Sequence, residues 1–233
     1  MEKLTRLVSC SICGKDVLLD MTSYNELDAD WQKKLGGILK RVSCEDCCAS
    51  DKRERRKRMA RHRLGKTGIP EPFIKWDRTL GNNPMIEWVW KNRKKSMFIT
   101  DDYGAGKTRA VCATGAVESQ DQWVLFFRTV DLLKTISGLY GSSMVDCRQF
   151  IETLKRCDIL ILDDFGKEKL TDRAGESVFD VIDSRYTHSK PVWITTNLNG
   201  QEMITKLGED RGKAVVRRLS EMCEQWIPTE VGE

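Results

Sequence analysis

Short apolar runs alternate with amphipathic segments along the chain from residue 69 onward. The runs are rich in aliphatic and aromatic side chains and predict buried strands at residues 97–100, 123–128, 158–162 and 191–196. The segments between them have helical spacing or a helix-permissive composition, at residues 83–95, 109–118, 131–140, 147–156 and 173–187. Residues 224–227 add one further short strand. Strands that alternate with helices predict an α/β fold with a parallel sheet.

The first 68 residues follow a different pattern. Residues 17–19 predict a strand, and one helical stripe recurs every four residues at Leu27, Trp31, Leu35 and Leu39. Residues 51–63 are polar on all sides and contain neither Gly nor Pro, which favours a helix that packs on little. A cluster of Gly and Pro at residues 65–70 then marks a domain boundary. We therefore expect a small domain at 1–48, a linker helix at 49–68 and a larger domain at 69–233.

Charge gives the linker helix a candidate role. The formal net charge is +4, yet residues 49–66 carry 9 basic and 2 acidic side chains, against 7 and 8 in residues 1–48 and 23 and 25 in residues 67–233. A nearly single-signed run suits a phosphate backbone. The linker is therefore a candidate for binding single-stranded DNA, through Arg55, Arg56, Lys57 and Arg58. The alternative is a solvated tether.

Two Cys-x-x-Cys pairs indicate a metal site in the small domain. No run of 18 apolar residues occurs and the N-terminus lacks the apolar core of a secretory signal, so we expect a cytoplasmic protein. In a reducing compartment paired cysteines are more often metal ligands than disulfides. Four thiolates at tetrahedral corners suit structural Zn²⁺, and the expected ligands are Cys10, Cys13, Cys44 and Cys47. Cys48 is an alternative to Cys47, and unmetallated buried cysteines are the alternative to zinc.

A glycine-rich turn between a strand and a helix predicts a phosphate-binding loop. Glycines let the backbone fold around phosphate oxygens, the lysine reaches the β- and γ-phosphates, and the threonine hydroxyl is a Mg²⁺ ligand. The expected ATP-binding residues are Tyr103, Gly104, Ala105, Gly106, Lys107, Thr108 and Arg109. Asp101 stands where the full pattern has its first glycine, and a carboxylate there disfavours phosphate unless it points away.

Polar residues follow two of the predicted strands. Asp163 and Asp164 come directly after four aliphatic residues, and Asn197 follows the strand at 191–196. The carboxyl ends of parallel strands share one edge of a sheet, so these side chains should lie beside the phosphate loop. Asp163 would hold Mg²⁺ with Thr108, while Asp164 and Asn197 would orient the attacking water. The alternative is a buried strand that ends in two solvent-exposed carboxylates.

Four motifs together resemble those of the DnaC/DnaI/IstB group of AAA+ ATPases, which are helicase loaders and transposition helpers. They are residues 104–108, 161–166, 183–186 and 195–198, in the family order and at family-like spacing. The resemblance covers roughly residues 69–227. It implies a five-stranded parallel sheet with helices on both faces, ATP with Mg²⁺, and self-association in which an arginine completes a neighbour's site. Arg218 matches that arginine best, Arg217 and Arg185 fit less well, and Asn197 matches the family's polar sensor.

The resemblance favours an ATPase that loads a replicative DNA helicase onto single-stranded DNA. In DnaI-type loaders a similar cysteine domain grips the helicase, so residues 1–48 are the expected partner-binding part. The short stretch after Arg218 implies a minimal helical lid. One alternative is an IstB-like ATPase that assists a transposase. Another is an adaptor that binds nucleotide and DNA and turns ATP over negligibly, for which Asp101 is the motivating feature.

Overall fold

The computed structural model describes residues 5–20, 43–74, 83–166 and 172–226. The chain divides into two compact units, residues 1–59 and 60–233. Helix α1 spans Glu45–Leu64, so Cys47 and the basic segment share one helix, and Cys44 immediately precedes it. The domain limits expected from the sequence, at residues 48 and 68, remain predictions. Within the described residues, no helix combines the length and the apolar character needed to cross a bilayer.

The first unit begins with a two-stranded antiparallel sheet. Strand β1 is Thr5–Ser9, strand β2 is Asp16–Asp20, and Ser9 pairs with Asp16 next to the turn. Gly14 has a φ of 75°, a left-handed conformation that glycine adopts at low cost, and its N–H donates to the Cys10 carbonyl at 2.9 Å. The first Cys-x-x-Cys pair therefore lies in a tight hairpin turn. The helical stripe predicted over residues 27–39 lies outside the described residues.

The second unit confirms the predicted five-stranded parallel sheet. Its strands are β3 (Ser96–Thr100), β4 (Val124–Arg128), β5 (Ile159–Asp163), β6 (Val192–Thr196) and β7 (Cys223–Trp226). They lie in the order β4-β5-β6-β3-β7, and every neighbouring pair is parallel. A short 3₁₀ helix at Glu71–Phe73 precedes the first helix of this unit. The helices are α2 (Pro84–Asn92), α3 (Lys107–Glu118), α4 (Thr129–Ser142), α5 (Met144–Arg156), α6 (Asp172–Thr187), α7 (Gly200–Leu207) and α8 (Glu209–Met222).

The sheet buries apolar side chains on both faces. Side chains alternate between the faces of a strand, so Ile159 and Ile161 of β5 pack with α2 and α3, whereas Leu160 and Leu162 join the cluster formed with α4 to α8. All five residues of β5 are buried. A strand covered on both faces explains why this segment is a continuous aliphatic run instead of an alternating one.

A buried arginine joins α6 to the end of α5 and to the segment before β6, at the amino ends of the strands. Arg185 in α6 is fully buried, and its Nη1 donates to the carbonyls of Leu154 at 2.7 Å and Cys157 at 3.1 Å. Its Nη2 donates to the carbonyl of Pro191, just before β6. These bonds satisfy carbonyl groups at the ends of elements that would otherwise be buried without partners. Arg185 is therefore a structural residue, and its burial makes it unsuited to reach a neighbouring subunit.

Candidate nucleotide site and cysteine cluster

The carboxyl edge of the sheet brings together the residues predicted to bind nucleotide. Strand β3 leads into the loop at residues 101–106, and β5 ends at Asp163. Strand β6 lies between β3 and β5 and is followed by Asn197. The Thr108 hydroxyl donates to Asp163 Oδ1 at 2.7 Å, which joins the phosphate loop to the acidic strand directly.

The phosphate loop has the backbone conformation that its glycines predict. Gly104 and Gly106 have φ values of 84° and 91°, which a side chain would strain. A Cβ on Gly104 would meet no atom within 4 Å, so the conformation, not lack of space, requires glycine there. Helix α3 follows, and no side chain caps its N-terminus. The start of this helix, with the positive end of its dipole, is therefore suited to bind an anion.

Lys107 lies against its own loop. The side chain is buried, and Nζ donates to the carbonyls of Asp101 and Asp102, each at 2.7 Å. This position keeps the ammonium group at the loop that is predicted to bind phosphate. Tyr103 within the loop is 80% exposed, and Arg109 in the first turn of α3 is also exposed.

Asp163 is oriented by two hydroxyl groups. The carboxylate is buried at 3% exposure, and Oδ1 accepts hydrogen bonds from Thr108 and, at 2.6 Å, from Thr195 of β6. Carboxylate and hydroxyl oxygens are the ligands that Mg²⁺ prefers. Thr108 and Asp163 therefore fit the magnesium site expected from the sequence. Thr195 is a residue that the sequence interpretation left without a role, and its position in the motif 195–198 was the available signal.

Asp164 and Asn197 flank this pair. Asp164 has a φ of 56°, which is uncommon for a residue with a side chain and is often found at functional sites, and its N–H donates to Thr195 Oγ1 at 3.1 Å. Asn197 Oδ1 is buried and accepts no hydrogen bond from the described residues. A buried acceptor without a donor is costly, and a water or ligand donor would satisfy it. This orphaned oxygen fits the water-holding role expected of Asn197.

A further cation lies at the same edge. Arg128 is the last residue of β4, in register with Asp163, and its Nε donates to Asp131 Oδ2 at 2.7 Å. This hydrogen bond, and secondarily the charges of Asp163 and Asp164, raise the pKa of Arg128. The sequence interpretation missed Arg128 because its proximity to the acids depends on strand order, which no local pattern reveals.

The two arginines near the end of α8 differ in their surroundings. Arg218 is paired with Asp183 of α6 and lies over the Phe179 ring at 5.0 Å, and its side chain is 20% exposed. Arg217 is 70% exposed and pairs with Glu221 at 3.4 Å within the same helix. A role for either in a neighbouring site remains a prediction.

In the first unit, the four predicted zinc ligands converge. The sulfur atoms of Cys10, Cys13, Cys44 and Cys47 all lie within 4.8 Å of one another, and Cys48 is not in the group. Such a set can hold a tetrahedral metal ion such as Zn²⁺. Backbone N–H groups, those of Cys13 and Cys44 first, lower the pKa of the Cys10 thiol to about 6 and so favour the thiolate that a metal requires.

The basic segment of α1 presents its charges to solvent. Arg55, Lys57 and Arg58 are exposed, and Lys57 pairs with Glu54 at 2.9 Å. The side chain of Arg56 lies outside the described residues. Exposure is compatible with both nucleic-acid binding and a solvated tether, so the DNA role remains a prediction.

The parallel sheet, the glycine loop with its lysine and threonine, and the acid on the neighbouring strand define a P-loop nucleotide-binding protein of the AAA+ type. The sequence profile of the IstB-like ATP-binding proteins matches residues 72–228, and the chain belongs to this family.

Two of the relatives have names that indicate different roles. An ATP-binding protein of insertion sequence IS1162 from Pseudomonas fluorescens is 27% identical over 66% of this chain and 67% of its own length. The replicative helicase loader DnaC of Escherichia coli K12 is 23% identical over 49% of this chain and 47% of its own length. The chain thus spans between about half and two thirds of these curated relatives.

Solved structures carry the same fold. The crystal structure of a DnaC helicase loader matches with a TM-score of 0.50 and 27% identity, covering 60% of this chain and 84% of that one. The crystal structure of DnaI matches with a TM-score of 0.56 over 68% of this chain and 94% of that one, and at 15% identity it supports the fold alone. These matches confirm the resemblance on which the sequence interpretation rested.

Proposed function

We propose that this protein is an ATPase that loads a replicative DNA helicase onto single-stranded DNA. The observation that carries the proposal is the pairing of a P-loop site with a separate unit whose described chemistry is a closed set of four thiols. A metal with four protein ligands has no open position for catalysis, so what such a unit offers is a binding surface. Residues 1–48 carry 7 basic and 8 acidic side chains, a balance that favours a protein partner over DNA.

The proposed chemistry uses the residues at the sheet edge. The backbone N–H groups at the start of α3 and the Lys107 ammonium bind the phosphates of ATP. Thr108 and Asp163 would hold Mg²⁺, and the ion would neutralise charge on the phosphates. Asp164 and Asn197 orient a water whose oxygen attacks the γ-phosphorus as the bond to the β–γ bridging oxygen breaks. ADP and inorganic phosphate are the products.

A second candidate is an ATPase that assists a DNA transposase in selecting its target. The relative from insertion sequence IS1162 and the family match favour it. Both functions need the same ATP site and both use DNA, so they differ in the protein partner. The four-cysteine unit is the reason for placing helicase loading first.

The deciding experiment compares the two partners directly. Purified protein would be immobilised with ATP and Mg²⁺ and offered a replicative helicase and, separately, a transposase, each from the organism that carries its gene. We expect retention of the helicase, and loss of retention in a Cys10→Ser, Cys13→Ser variant that keeps its ATP binding. Retention of the transposase alone would overturn helicase loading in favour of the second function.

Phosphate release separates an ATPase from an adaptor that only binds nucleotide. We expect the wild-type chain to release phosphate in the presence of single-stranded DNA. The Asp164→Asn variant should bind ATP normally and hydrolyse it slowly, because the amide keeps the shape of the side chain and loses the charge that orients water. Wild-type turnover no faster than that of Asp164→Asn would favour the adaptor.

A further inference from the structure

Asp101 occupies a position at which the phosphate-loop pattern has glycine, and both of its carboxylate oxygens are engaged. Oδ1 accepts a hydrogen bond from the Asp102 N–H at 2.8 Å. Oδ2 accepts one from the indole Nε1 of Trp226 at 2.9 Å. The second bond joins residues 125 positions apart, at the start of the loop and the end of the last strand.

The position of Trp226 is fixed by its own strand β7, by the neighbouring strand β3 and by helix α2. It is the last residue of β7 and pairs in register with Ile99 of β3. Its ring meets Trp88 of α2 edge to face, with centroids 5.7 Å apart. The indole N–H is therefore fixed in direction, because strand pairing sets the backbone and the aromatic contact sets the ring.

The hydrogen bond from Trp226 fixes the position of the Asp101 carboxylate relative to the phosphate loop. The Asp101 carbonyl accepts from Lys107 Nζ, so this residue is part of the loop that positions the lysine. A carboxylate that turned toward the loop would repel phosphate and compete for the lysine. The carboxylate instead accepts hydrogen bonds from the indole N–H of β7 and from the neighbouring Asp102 N–H. These bonds stabilise the orientation in which the carboxylate faces β7.

We propose that Trp226 is a positioning residue for nucleotide binding, which holds the Asp101 carboxylate away from the phosphates of ATP. The proposal rests on the ATP binding described under Proposed function. It explains how this chain tolerates an acid at a glycine position. It also connects the loop to the strand that follows α8, the helix that carries Arg217 and Arg218.

A double-mutant cycle on the full chain tests the proposal, with ATP affinity measured by calorimetry in the presence of Mg²⁺. Trp226→Phe keeps an aromatic ring against Trp88 and removes the donor, and we expect it to weaken ATP binding about tenfold. Asp101→Asn removes the charge and should change affinity less than about threefold. The double variant should bind like Asp101→Asn, because without the charge there is nothing for the indole to restrain.

A second pair of variants leaves Trp226 intact in case Trp226→Phe fails to fold. Asp101→Glu moves the carboxylate by one methylene from the indole and should weaken ATP binding about tenfold, whereas the matched neutral Asp101→Gln should bind like the wild type. The deficit of Asp101→Glu should shrink as salt concentration rises, which a purely structural defect would not show. Trp88→Phe changes the ring that packs against Trp226 and leaves the indole donor of Trp226 in place, so it is the control for packing.

The outcomes separate this inference from the proposed function. Equal ATP affinity in Trp226→Phe and the wild type, or a double variant as weak as Trp226→Phe, would overturn the positioning role. So would equal deficits in Asp101→Glu and Asp101→Gln. A wild-type chain without measurable ATP binding would instead overturn the proposed function.

Discussion

Different interactions stabilise the fold of each of the two units of this chain. In the unit of residues 60–233, helices cover both faces of the sheet, and the side chains of β5 and β6 are buried throughout. In the first unit, the buried residues among those whose burial the structure describes are Cys10 and Cys44, while Ile12 and Leu18 are 64% and 65% exposed. Apolar burial can account for the fold of the larger unit. In the described part of the smaller one, the buried side chains are two of the four thiols, whose expected ligand role makes a metal the natural source of stability.

This difference predicts that the two units respond to different perturbations. A small unit buries a limited apolar area, and bound metal commonly supplies the missing stability. The larger unit buries enough apolar surface that we expect it to fold without metal, although its proposed chemistry uses Mg²⁺. We therefore expect metal to control the first unit, and nucleotide and neighbouring subunits to control the second.

Zinc removal should have the largest effect on stability, and it is the most direct test of the difference between the two units. Structural Zn²⁺ contributes about 10–16 kcal/mol of apparent binding energy in small modules, enough to decide whether the first unit folds. Metal analysis should find one zinc per chain. A chelator should abolish amide protection in residues 5–20 and 43–48 and leave the strands β3 to β6 protected, as measured by hydrogen exchange. Purified protein that contains no zinc and whose thiols are all reactive would contradict the claim that metal stabilises the first unit.

Substitution of Arg218 should affect turnover within the second unit. An arginine that reaches a neighbour's γ-phosphate contributes about 10³–10⁵ in turnover. We expect Arg218→Ala to lose this factor, and a mixture of Arg218→Ala with Lys107→Ala to recover part of it, since a mixed interface can pair an intact site with an intact arginine. The measurement is phosphate release across mixing ratios.

The Arg218 experiment needs two controls, because this residue also pairs with Asp183 in its own chain. Asp183→Asn removes the ion pair and keeps the guanidinium group, so it should retain turnover if Arg218 acts on a neighbour. Arg217→Ala is the matched neighbouring arginine and should retain turnover as well. Absence of rescue despite confirmed co-assembly would show that Arg218 acts only within its own chain.

Substitution of Lys107 should separate nucleotide binding from metal binding. Lys107→Ala removes charge-assisted hydrogen bonds to phosphate, which corresponds to roughly 10- to 100-fold weaker ATP binding. The zinc content of the variant should equal that of the wild type, because the cysteine ligands lie in the other unit. Lys134→Ala, an exposed lysine in α4, is the control. Equal affinity in Lys107→Ala and the wild type would contradict the site.

Substitutions in the basic segment should have the smallest effect, a change in the slope of log DNA affinity against log salt concentration. If about five phosphates are neutralised, log affinity for single-stranded DNA should fall with log salt at roughly −3.5, from about −0.7 per contact. Alanine at Arg55, Arg56, Lys57 and Arg58 should flatten this slope, measured by fluorescence anisotropy. Alanine at Arg148, Arg156 and Arg173, which are exposed elsewhere, serves as the control. An unchanged slope would leave the segment as a solvated tether.

Much of the second unit could be predicted because local physics and tertiary structure agree there. A run of aliphatic residues such as 159–162 has few alternatives to a strand buried on both faces, and glycines at 104 and 106 indicate a tight turn before a helix. The four cysteines were also predictable, since two Cys-x-x-Cys pairs have few other uses in a reducing compartment. Cys47 is the expected fourth ligand and Cys48 its alternative; the structure places Cys47 in the group, and the choice depends on the direction in which successive helical side chains point.

The sequence by itself determined the class of fold, the phosphate loop and the acidic residues beside it, because each depends on a short stretch with a strong local preference. Only the tertiary structure decided how distant groups pair: Thr195 with Asp163, Arg128 with the acidic edge, and Trp226 with Asp101. Strand order brings these residues together, and that order follows from packing over the whole sheet. The same holds for Arg185, which the family resemblance makes a weaker candidate for the arginine that completes a neighbour's site and which the fold buries among carbonyl groups.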